Sequence, residues 1–171
     1  MVEDLVDPRR SEPTFTLPER AMLDSWLEFH RATLELKTEG LSESLRKSRP
    51  VPTSRLSLHG LVRHMAEVER NWFRRVLAGE DIGLIWADRA VDDRELVPLD
   101  DADWETDLSV WKAECQASRD IAAEKDLEDT GWRGRRQCSL RWIYVHMIEE
   151  YARHNGHADL IRELLDGSVG W

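Results

Sequence analysis

Cysteine is scarce in this chain, with only Cys115 and Cys138 among 171 residues. They lie far apart and form no C-x-x-C pair, which argues against both a disulfide framework and a thiolate zinc site. Each reads instead as a packed or incidental free thiol. A Lys/Arg-rich block is also missing. With 34 acidic against 24 basic residues and a net charge of −10, the chain does not look like a reader of nucleic acid. Long apolar runs are absent, and the acidic N-terminus lacks the charged-then-apolar order of a signal peptide, so no membrane association is expected. The expectation is a cytoplasmic protein. Convincing strand alternation, internal repeats and low-complexity tracts are lacking too.

What the chain does have is helical periodicity in four long segments. The first begins after Thr16, read as its N-cap with Pro18 in the opening turn, and carries Met22, Trp26, Phe29, Thr33 and Leu36 before Gly40 ends it. Leu41 to Arg46 can add a short turn of helix. The breaker-rich link Arg49-Pro50-Val51-Pro52 follows. Ser57 or Ser54 then caps a second helix through Leu61, Met65, Trp72 and Val76 to Gly79. Between about Glu80 and Asp101 the chain is acidic and aperiodic, a connection long enough to help cover a site. A third helix spans about Asp101 to Lys125, and Gly131-Trp132-Arg133-Gly134 reads as a loop. Ser139 caps the fourth helix, which Gly167 terminates. Four helices with one long connection predict an all-α, four-helix bundle: a single domain over residues 1–171, with 1–15 as a loosely ordered extension. Of the eight tryptophans, Trp26, Trp72, Trp104, Trp111 and Trp142 fall at core spacing; Trp86, Trp132 and Trp171 are free to line a pocket or an interface.

The fourth helix carries the chemistry. His146, Glu150, His154 and His157 follow one another at four, four and three residues, a single stripe of imidazole and carboxylate. At a rise of about 1.5 Å per residue, His146 and His157 are about 16 Å apart and cannot share one ion. The usable pairs are His146/Glu150, Glu150/His154 and His154/His157. One helix cannot close a coordination shell, and His64 on the second helix is the candidate from elsewhere. His59 and His30 are less attractive. A helical histidine is far more often a hydrogen-bonded or half-exposed residue than a ligand, and Glu149 and Glu150 can equally be a solvated face pairing with Arg153.

Two segments weigh against that bland reading. His64-Met65-Ala66-Glu67-Val68-Glu69-Arg70-Asn71-Trp72-Phe73, together with Glu149-Glu150-Tyr151-Ala152-Arg153-His154-Asn155-Gly156-His157, resembles the DinB-like superfamily. More narrowly, the chain is similar to the branch near mycothiol-dependent maleylpyruvate isomerase and thiol S-transferases. The resemblance implies a DinB-like four-helix bundle, a homodimer, and a metal held by His64, Glu150 and His154. His157, where relatives often have glutamine, and then His146 stand in reserve as additional ligands or supporting donors. Glu67, Glu69 and Asp159 are available to orient the imidazoles. Zinc heads the candidate ions, with nickel, iron and manganese also suited to this donor set. The implied activity is a metal-dependent thiol transferase or isomerase, with mycothiol as co-substrate and an electrophilic second substrate. The alternative is a non-catalytic helical dimer that binds a metal or small ligand. The roles of Tyr144, Tyr151 and Arg153 as acid, base or anion contact stay open.

Overall fold

The core forms where helical stripes of Leu, Met, Trp and Tyr meet, and the computed structural model describes this for residues 7–86, 96 and 101–169. In chain order α1 is Glu19–Thr38, α2 Glu43–Lys47, α3 Leu58–Glu69, α4 Trp104–Ala123 and α5 Leu140–Asp166. The fold is mostly helical. α1 packs chiefly on α5 and α3 chiefly on α4. Among the described residues no helix is long and apolar enough to cross a membrane.

Side-chain caps set the starts of α3, α4 and α5, those at Ser57 and Ser139 as the sequence predicts. Ser57, Asp103 and Ser139 accept hydrogen bonds from the backbone N–H groups of Gly60, Thr106 and Trp142, satisfying donors that the first turn leaves open. Gly167, at φ +78°, closes α5 in the left-handed conformation that glycine adopts without a Cβ penalty. Thr16 does not cap α1. Pro18 holds that position with φ −54° and no side-chain cap bond, so the start is set by the proline ring.

Two features depart from the expected helices. The second helix is α-helical only to Glu69 and then runs as a π-helical segment, Arg70–Leu77, with the Ala78 N–H bonded five residues back to the Phe73 carbonyl. Trp72, Phe73, Val76 and Leu77 are buried along it. The segment around Gly131 is not a loop but a hairpin: β1, Thr130–Arg133, pairs antiparallel with β2, Arg136–Ser139, with Thr130 opposite Ser139. Its two-residue turn has Gly134 at φ +62° followed by Arg135 at negative φ, a type II′ arrangement that suits strand twist. The acidic connection falls largely outside the described residues, so its role as a cover is not addressed. Trp171 lies outside them as well.

Gly131 seats the hairpin. A Cβ there would lie 2.1 Å from the Val76 carbonyl oxygen and 2.6 Å from Leu77 Cα, both backbone atoms that cannot swing aside. Gly131→Ala must lift β1 off the π-helical segment, an overpacking cost of about 1–3 kcal/mol and a melting temperature lower by roughly 2–12 °C. Thermal denaturation followed by circular dichroism checks this; an unchanged midpoint would contradict the close approach.

Candidate metal centre

The buried residues of α5, namely Leu140, Ile143, Tyr144, Met147, Tyr151, Asn155, Ala158 and Ile161, form the helix's core stripe. His146, Glu150, His154 and His157 each directly precede a member of it, at Met147, Tyr151, Asn155 and Ala158. One residue is a rotation of about 100°, so the polar stripe runs along the rim of the core and is half-buried. On α3, His64 holds the equivalent rim position beside the fully buried Met65. Packing of α3 near α5 brings the two rims together.

The result is a cluster of three donors. His64, Glu150 and His154 each offer a ligand atom, and these atoms all lie within 4.8 Å of one another. The rings of His64 and His154 are 4.7 Å apart, edge to face, and His154 Nε2 is 3.5 Å from Glu150 Oε2. Burial, reinforced by the neighbouring His64, His157 and Arg153, lowers the His154 pKa to about 3. At neutral pH this imidazole is therefore uncharged, the form that donates a lone pair to a cation. Two imidazole nitrogens and a carboxylate oxygen at this separation fit a borderline divalent ion with an open position.

The reserve residues divide. His157 Nδ1 lies 3.3 Å from His154 Nδ1, beside the cluster rather than within it. His146 belongs to a second group with Glu149 and Glu150, its Nε2 3.4 Å from Glu150 Oε1 and its Nδ1 3.5 Å from Glu149 Oε2. Glu150 is thus shared, one oxygen toward each group. His146 is further walled by Trp142, stacked at 4.9 Å, and Trp72, at 4.7 Å.

Other expectations are redirected by packing. Of the carboxylates set aside to orient imidazoles, Glu69 binds Arg31 and Tyr151, Asp159 pairs with Lys37, and Glu67 accepts the Trp86 backbone N–H. His59 is a core residue bonded to Asp107, and His30 meets Asn155. Tyr144 donates to Asp24, Tyr151 donates to Glu69 and Arg153 pairs with Glu149, which leaves none of them facing the cluster. Cys115 is buried, and burial raises its thiol pKa well above the usual range; Cys138 is only partly covered. Trp142 and Trp26, expected in the core by spacing, are 46% and 37% exposed, because each directly precedes the buried position, Ile143 or Leu27, and so sits about 100° around the helix from it. Sequence reasoning missed the aromatic wall around His146. Its signal was His146 four residues after Trp142, on one helical face.

No curated protein matches the chain. A family model described as mycothiol-S-transferase, however, matches residues 22–167, a span that takes in α1 from Met22, all of the other long helices, His64 and the whole α5 stripe. The match covers well over half of the sequence, and the chain belongs to the mycothiol-S-transferase family.

Proposed function

We propose that the protein is a metal-dependent thiol transferase that joins mycothiol to an electrophilic small molecule. The observation that carries this reading is the meeting of His64 from α3 with Glu150 and His154 from α5, in a chain that the mycothiol-S-transferase model spans. His64, Glu150 and His154 would hold the ion, with zinc first among the candidates. When bound, a divalent ion supplies Lewis acidity that lets a thiol react as its conjugate base near neutral pH.

The chain's own residues supply the rest. His154 is held neutral, and Glu150 brings a negative charge to a site otherwise made of imidazoles. His157 positions His154: with the two Nδ1 atoms 3.3 Å apart, a hydrogen bond needs the proton on one of them. A proton on His154 Nδ1, donated to His157, leaves His154 Nε2 free to bind on the side where Glu150 lies. The four long helices are read as the DinB-like four-helix bundle, and the protein as a single-domain cytoplasmic homodimer.

The test uses full-length, untagged protein, stripped of metal and then loaded with zinc, mixed with mycothiol and monochlorobimane. Sulfur attacks the chlorine-bearing carbon, chloride leaves with the bonding pair, and the thiol proton passes to solvent. Zinc-dependent loss of mycothiol above the stripped control is expected. One equivalent of bound zinc without thiol loss would replace this reading with the non-catalytic metal-binding one.

A further inference from the structure

Beside the candidate metal centre lies a cleft of about 600 Å³ that the family assignment does not explain. Its lining comes from three elements: Trp72 of the π-helical segment, Trp142 of α5, and Arg133, Arg136, Gln137 and Cys138 of the hairpin. Among the described residues no acidic side chain lines it. That is unusual in a chain of net charge −10, where Arg9, Arg20, Arg31, Arg70, Arg74, Arg119, Arg141, Arg153 and Arg162 are each paired with a carboxylate. Arg133 lies over the Trp72 ring at 4.7 Å, and among the described residues neither it nor Arg136 has a carboxylate partner. The cleft also borders the capped start of α5, whose first turn holds no acidic side chain.

The cleft and the metal centre share a wall. Trp72 and Trp142 both contact the His146 ring, and His146 Nε2 is 3.4 Å from Glu150. A molecule lying in the cleft against Trp142 is therefore linked to the cluster through that indole and His146.

We propose that this cleft binds the electrophilic second substrate, and that this substrate is a planar, unsaturated or aromatic carboxylate. Arg133 and Arg136 take its charge, and Trp142, backed by the buried Trp72, takes its π face. The chemistry follows from the lining: guanidinium forks match carboxylate oxygens, and indole rings favour flat apolar bodies. The role of this molecule as electrophile rests on the transferase reading; its binding does not.

The experiment separates the two. Zinc-loaded full-length protein without thiol is titrated with 4-chloro-3-nitrobenzoate or with its neutral amide, 4-chloro-3-nitrobenzamide, and quenching of tryptophan fluorescence is recorded. The benzoate should bind about tenfold or more tightly than the amide, the scale of one charge-assisted contact. Arg133→Gln and Arg136→Gln should each remove most of that preference, whereas Arg135→Gln, at the hairpin turn and outside the cleft, should not. Raising salt from about 0.05 to 0.5 M should weaken the benzoate alone, because exposed guanidinium charges are screened. Equal binding of the two probes, a preference indifferent to both arginine substitutions, or displacement of the benzoate by mycothiol would overturn the proposal. Mycothiol is then added and chloride release measured. Arginine-dependent benzoate binding with neither chloride release nor zinc-dependent loss of mycothiol to monochlorobimane leaves the anion cleft standing and removes the transferase reading; thiol loss to monochlorobimane alone removes the bound carboxylate's role as electrophile. Zinc-dependent thiol loss with no benzoate preference does the reverse.

Discussion

Substitution of His154 by alanine should lower zinc affinity by about a hundredfold or more. Structural zinc sites with four ligands bind with apparent free energies of about 10–16 kcal/mol, so one ligand carries about 3 kcal/mol, and each 1.4 kcal/mol is tenfold. His64→Ala should cost as much, because His64 is the one donor of the three that comes from α3. His157→Gln should cost less, about tenfold, since it only orients His154. Competition with a chromophoric chelator measures all three. The shared Glu150 makes the order of effects decisive. If His146→Ala weakens zinc as strongly as His154→Ala while His64→Ala does not, the ion belongs to the His146, Glu149, Glu150 group and the assignment fails.

Arg31→Met should destabilise the fold by about 3–5 kcal/mol, the cost of leaving a buried charge without its partner. Arg31 and Glu69 are 4% and 0% exposed and form a two-pronged pair, Nε to Oε1 at 2.8 Å and Nη2 to Oε2 at 2.6 Å. The same Oε1 accepts the Tyr151 hydroxyl at 2.7 Å, and Tyr151 in turn accepts the Trp111 indole N–H at 3.0 Å. α1, α3, α4 and α5 thereby meet at one polar knot inside the apolar core. Against a total stability of about 5–15 kcal/mol the single loss is severe. Removing both charges, as in Arg31→Met with Glu69→Leu, should restore much of it, because the desolvation penalty of the pair disappears with the pair. Urea unfolding of both variants is the measurement. A loss below about 1 kcal/mol for Arg31→Met would mean that the knot is solvated and structurally unimportant.

Much of this arrangement is legible in the chain because helical order is local. The caps Ser57 and Ser139, the terminator Gly167 and the 146/150/154/157 stripe all follow from spacing along one backbone. Other elements escape that reasoning for definite reasons. The apolar positions of Arg70–Leu77 suit one inward face in an α- or a π-helix, so eight residues of hydrophobic pattern do not separate the two. Each hairpin strand is four residues long, and the two together bury only Gly131 fully, which leaves no alternation to read. Gly131 looks like a loop glycine until the Val76 carbonyl is seen against it.

By itself the sequence determined the four long helical segments, several of their ends and a stripe of four metal-capable side chains, since rise and rotation per residue are properties of the backbone. Tertiary structure decided how the stripe divides. α3 brings His64 to Glu150 and His154, Trp72 and Trp142 wall off His146, His157 is turned onto His154, and Glu69 is drawn away to Arg31. Those outcomes depend on which side chains from distant parts of the chain fill the same space, and no periodicity within a helix records its neighbours.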